Sequence, residues 1–148
     1  MGIEKKYATI VNKFGLMAGW NALTLNLLGR DVEGITELGY DDTTEMEGAR
    51  GAGMYFVGYG EGNYEAKCSV TLFKEEWDAI QAALPKGASI TSIPPFNIIA
   101  EYERDFVKTT DIIQYCKFKG RGVAVKQGDK TIAYKCDLFV AGRIFWNI

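Results

Sequence analysis

Residues 64–72 read Tyr64-Glu65-Ala66-Lys67-Cys68-Ser69-Val70-Thr71-Leu72. Tyr64, Ala66, Cys68, Val70 and Leu72 share one side of an extended chain, and Glu65, Lys67, Ser69 and Thr71 share the other. That period of two is the signature of a strand with one face in a core and one in water. Immediately downstream the period changes. Phe73, Trp77, Ile80 and Leu84 recur at helical spacing, with Lys74, Glu75, Asp78 and Gln81 pointing away, and Pro85 and Gly87 end the helix. After Pro94-Pro95 the alternation returns in Phe96, Ile98, Ala100 and Tyr102. Further strands are expected over 106–118, 121–127 and 131–140, joined by Gly120-Arg121-Gly122 and Gln127-Gly128-Asp129. Upstream, Leu23, Leu25 and Leu27 alternate with polar neighbours. A turn at Gly29-Arg30-Asp31 and a second alternating run, Thr36, Leu38 and Tyr40, suggest a hairpin. Many short strands joined by glycine turns, with one central helix, define a mainly β sandwich or barrel.

The first residues stand apart. Ile3, Tyr7, Ile10, Val11 and Phe14 fall at helical spacing, so residues 1–19 read as an arm or short helix ahead of one domain, 20–148. Charged residues break this stretch, which leaves no apolar run of the signal-peptide kind, and nothing in the sequence has the length of a membrane span.

Composition narrows the chemistry. The chain has 148 residues, 47% apolar and 24% charged, with 19 acids against 17 bases and no histidine. Such a length supports one self-sufficient core. A net charge of −2 argues against a protein that coats nucleic acid. Without histidine there is no Ser-His or Cys-His nucleophile and no imidazole ligand or base. Cys68, Cys116 and Cys136 lack metal or redox spacing, and each lies on the apolar side of its run, so they read as buried free thiols. No cofactor or metal is called for. The paired carboxylates Asp41-Asp42, Glu75-Glu76 and Glu101/Glu103 read as solvated surface.

Two features point to assembly. Residues 41–63 read as a long irregular loop with six glycines, and they carry Met46, Met54, Tyr55, Phe56, Val57 and Tyr59. The glycines do not follow a phosphate-cradle order. Large apolar groups in such a segment mean either folding back onto the core or packing on a partner. Composition alone leaves both open. Residues 31–47 also hold seven acids and no base, whereas 117–135 hold six bases and one acid. Opposite patches on one chain suit head-to-tail self-association, a heterologous contact that closes into rings or extends into tubes. Charge then steers the contact while apolar residues hold it. Candidate contact residues are Asp41, Asp42, Glu45, Met46, Glu47, Arg50, Met54, Tyr55, Phe56 and Tyr59 on one side, with Lys126 and Lys130 on the other.

The stretch Asn21–Tyr40 (N-x-alternating apolar-L-L-G-R-D-V-x-G-I-x-x-L-x-Y), the acid-rich Asp41–Glu47, Gly51-Ala52-Gly53 and Gly58-Tyr59-Gly60-Glu61-Gly62-Asn63-Tyr64-Glu65 run in order into Ser69–Phe73 and the helix. This order resembles the tail tube proteins of phages and prophages, relatives of the type VI secretion tube protein, most clearly over residues 20–84. The resemblance implies two antiparallel sheets packed as a barrel-like sandwich with one flanking helix. It implies hexameric rings stacked into a hollow tube that passes DNA or effectors. Sheath, baseplate or tape-measure proteins would be partners, and the chain would move from host cytoplasm to virion tail. The long loop would then contact neighbouring subunits, and Glu65, Lys67, Ser69 and Thr71 are candidates for a lumen face. The function expected is structural and non-enzymatic. The alternative is a small-ligand-binding β-barrel with residues 41–63 as a lid.

Overall fold

The structure, a computed structural model, describes residues 19–104 and 106–148. The expected N-terminal helix over 3–14 lies outside them. Eight strands and one helix follow in order: β1 Leu23–Leu27, β2 Arg30–Val32, β3 Ile35–Arg50, β4 Phe56–Phe73, α1 Lys74–Ala82, β5 Phe96–Arg104, β6 Val107–Phe118, β7 Ala133–Val140 and β8 Ile144–Phe145. The chain is mainly β with one flanking helix, as the alternation predicts. All eight strands join one open antiparallel sheet, in the order β2-β1-β5-β6-β7-β4-β3 with β8 also on β6.

The sheet is continuous because β6 serves both of its halves. On one edge, residues 107–113 and Cys116 of β6 pair with β5; on the other, Ile112–Ile113 pair with β8 and Cys116–Phe118 with Val140–Leu138 of β7. The β5–β6 ladder bulges between Ile113 and Cys116, where Tyr115 takes φ +54° and its N–H donates to Asn97 Oδ1 at 3.0 Å. A bulge bends and twists its strand, here between the ladders on its two edges. The sheet then folds over, so that Tyr40 of β3 meets Tyr102 of β5 (hydroxyls 2.9 Å apart) and Asp111 of β6.

Inside the fold, Val70, Leu72, Ile98, Ala100, Ile113, Cys116 and Ile144 are wholly buried. Helix α1 adds Trp77 and Ile80, with Trp77 edge-on to Phe118 at 5.7 Å. Each such side chain contributes roughly 1.5–3 kcal/mol on leaving water. The helix start is satisfied without a capping side chain: Lys74 N–H donates to Ile132 O at 2.8 Å, and Glu75 and Glu76 sit in the first turn, favourable to the dipole. Glu76 also pairs with Arg30 of β2 at 2.6 Å.

Three expectations change. Strand β1 pairs with Arg30–Val32, not with Thr36–Tyr40. Leu28 and Gly29 both take positive φ (+55° and +82°), which makes a two-residue hairpin turn tighter than the one expected. Residues 41–63 are not an irregular loop. Most of them extend β3 and β4 as one long hairpin, paired from Asp41 opposite Lys67 to Arg50 opposite Phe56. Residues 121–127, expected as a strand, join no ladder.

Candidate functional site

The β3–β4 hairpin projects beyond the core as an arm. Every residue from 45 to 65 is exposed. Strand β7 covers β4 only over Lys67–Phe73, so beyond that point the arm is a two-stranded ribbon with both edges open. Register shifts at Thr44/Met46 and Ala49/Arg50 twist it. At Gly48 an added Cβ would meet the Phe56 ring at 2.5 Å, so a side chain there would displace that exposed ring. Near the tip, the Arg50 guanidinium lies 4.4 Å over the Phe56 ring and donates to Met54 O at 2.6 Å.

The arm does not fold back onto its own body. Met46, Met54, Tyr55, Phe56, Val57 and Tyr59 are all between 61% and 79% exposed. That excludes the first of the two explanations for their presence, and it gathers Met46, Phe56, Val57 and Tyr59 around one open patch. Glu47 borders it and Glu45 lies next along β3, both in solvent, while Asp41 is exposed at the arm's root. Glu45 accepts from Asn63 N–H at 3.5 Å.

Asp42 behaves differently from its acidic neighbours. Its carboxylate accepts from Trp146 Nε1 at 3.0 Å and from Tyr64 OH at 2.7 Å. Those two donors hold its pKa below the usual carboxylate range. Trp146 also lies against Tyr40, ring centroids 5.4 Å apart. Tyr64 OH in turn accepts from Ile144 N–H at 3.1 Å, Asn147 N–H donates to Asp111 at 2.9 Å, and Ile148 N–H donates to Thr110 O at 2.8 Å. The segment 144–148 thus straps the arm's root to β6. Burial and the Asp111 hydrogen bond raise the Tyr40 phenol well above its ordinary value. Sequence reading did not find this clasp, and no local pattern marks it, since Trp146 and Asp42 are 104 positions apart.

Lys126 and Lys130 are exposed in the segment joining β6 to β7, where Lys126 N–H donates to Asp129 Oδ2 at 3.0 Å. The segment leads into Ala133, which lies opposite Phe73 at the end of β4 away from the arm, while its first residue, Lys119, borders the same concavity as Asp41 and Glu65. Part of the basic set has partners within the chain: Arg121 pairs with Asp78 at 3.1 Å, and Lys135 lies 3.8 Å from Glu37.

Glu65, Lys67, Ser69 and Thr71 occupy the outer face of β4. The first three border a concavity of about 690 Å³ with Asp137 and Phe139 of β7. The three cysteines are buried and free. Burial pushes the Cys68 and Cys116 thiols up to about 12. Among the described residues no group of three or more His, Cys, Asp or Glu could hold a metal ion, and no helix is long and apolar enough to cross a membrane. No protein-family model and no curated protein matches the chain.

Proposed function

We propose that this chain is a structural subunit that assembles with copies of itself, in stacked rings forming a hollow tube of the phage-tail kind, with DNA or effectors passing through the lumen. The observation that carries the reading is the arm, a ribbon with every residue from 45 to 65 in solvent and its large apolar side chains unburied. An apolar surface of that kind marks an interaction site. The acidic arm and the far end of the basic β6–β7 segment lie at opposite ends of β4, which suits head-to-tail contacts rather than two-fold ones. In this reading the arm enters the next subunit, and the chain has no catalytic role. Sheath, baseplate or tape-measure proteins are the further partners, and the tail is the destination. The ligand-binding alternative needs an open interior under a lid, whereas side chains fill the core and the arm stands away from it.

Light scattering and electron microscopy of concentrated protein test the proposal, with Lys126→Glu/Lys130→Glu as the paired variant. Rings or tubes are expected from the natural chain. The variant is expected to need higher concentration at low salt, because exposed charge pairs contribute up to about 1 kcal/mol each and are screened as salt rises. A particle mass that stays at one chain across a wide concentration range overturns the reading.

A further inference from the structure

Residues 119–126 run without helix, turn or bend, yet they join no ladder. Their sequence, Lys-Gly-Arg-Gly-Val-Ala-Val-Lys, has strand character in its second half, with Val123 and Val125 on one side and Ala124 and Lys126 on the other. All four are exposed. Among the described residues, the backbone N–H and C=O groups of Arg121–Val125 have no backbone partner. The segment is nevertheless held in place. Arg121 reaches Trp77 O, Gln81 and Asp78 on α1, Cys136 Sγ donates to Gly120 O at 2.9 Å, and Lys126 O accepts from Asp129 N–H at 3.1 Å.

A straight, anchored backbone with unpaired groups is a template for strand addition. Open edges also lie on β2, at the other end of the sheet path, and on the β4 side of the ribbon, and among these the outer edge of β3 carries the most acids. The charges of β3 and of the segment are opposite: Asp41, Glu45 and Glu47 on β3, Lys119, Lys126 and Lys130 around the segment. Like edges would repel, so charge favours β3 of one copy meeting residues 121–125 of another. We infer that residues 121–125 are a docking strand, completed in trans by the outer edge of the β3 arm of a second copy of this chain. The inference rests on the assembly reading and names the receiving surface. It also accounts for the missing strand: the strand preference of Val123-Ala124-Val125 is met by a partner and not by the chain itself.

Ala124→Pro removes one N–H from the middle of the segment at an exposed position without a ladder bond to lose. Ala124→Gly keeps that N–H and serves as its control. Both variants are expected to melt within a few degrees of the natural chain. The assembly threshold is expected to rise at least tenfold for Ala124→Pro and at most two- to threefold for Ala124→Gly. In the natural chain, the amide of Ala124 is expected to exchange freely in the single chain and to slow by about 100-fold on assembly, whereas its neighbours Val123 and Val125, whose N–H groups point to the other edge of an extended strand, slow less. Normal assembly by Ala124→Pro, or fast exchange at the Ala124 amide in the assembled form, overturns the docking strand and leaves self-assembly standing. Absence of any assembly by the natural chain overturns both.

Discussion

Replacing Met46, Val57 and Tyr59 together by threonine separates an arm built for a partner from one that supports its own fold. The three residues border one patch and are 65%, 75% and 69% exposed in the single chain. Threonine keeps the strand preference of the ribbon, so the backbone has no reason to change. Complete burial of such side chains contributes roughly 1.5–3 kcal/mol each. About two-thirds to three-quarters of that remains available to a partner, and threonine retains some of it. A loss of about 1 kcal/mol per position follows, hence about 3 kcal/mol for the three, or about 100-fold in the assembly threshold. The assay is sedimentation velocity across a concentration series, with thermal melting of the dilute single chain alongside. The expected result is a threshold about 100-fold higher and a melting temperature within a few degrees of the original. An unchanged threshold refutes the role given to the patch. A collapse of the melting temperature also refutes it, because these side chains would then be stabilising their own subunit.

Trp146→Phe retains the ring against Tyr40 but removes the donor to Asp42. In this partly exposed setting it is expected to cost about 1 kcal/mol, seen as a drop of roughly 3 °C in melting temperature. Asp42 has its carboxyl pKa lowered in the fold, so its contribution is present above the unfolded value of about 3.9 and is lost as pH falls through the lower folded value. The stability gap between the natural chain and Asp42→Asn should therefore hold from pH 7 to about pH 5 and close in stronger acid. A gap independent of pH would refute that assignment. For the cysteines, a disulfide reagent at pH 8 should react slowly with the folded chain and at once with all three thiols after unfolding. Burial holds the Cys68 and Cys116 thiols near 12 and denies the reagent access. Rapid reaction of the native protein would contradict it.

The strands legible in the sequence were those with one face in the core. Leu23–Leu27, Tyr64–Leu72, Phe96–Tyr102 and Ala133–Val140 alternate because alternate residues are buried, and α1 shows its period because Trp77 and Ile80 pack on the sheet. The arm was illegible as strand for the complementary reason. With both faces in water, nothing imposes alternation on residues 45–62, and glycines such as Gly48, Gly58 and Gly60 interrupt the pattern inside the strands without making a turn. The segment 121–127 failed in the other direction. Its alternation is present, but no strand of its own chain lies in register to pair with it. Leu28 hid the exact turn of the first hairpin, since a leucine at φ +55° fills a place where glycine or asparagine is the usual signal. Asp42 reads as solvated surface in the sequence because its two donors, Tyr64 and Trp146, are distant along the chain.

That clasp bears on how an unsupported ribbon can act as an arm at all. A lone two-stranded hairpin is at best marginally stable in water, and this one extends past the last β7 pairing at Lys67 with open edges on both sides. Its order must come from its root. There Tyr40 joins β5 and β6 through Tyr102 and Asp111, while Asp42 and Tyr64, one from each strand of the ribbon, are tied to the segment 144–148. Both strands are therefore pinned at the same level, which fixes the direction of the ribbon as well as its pairing. Further out, Glu45 and Glu47 stand on the open edge of β3, and charge on an edge discourages pairing between identical edges. The root and the edge charges thus do separate things. One fixes where the arm points, and the other disfavours its own kind of edge while leaving it open to a basic one. An arm with only the first property would aggregate, and an arm with only the second would have no fixed direction in which to meet a neighbour.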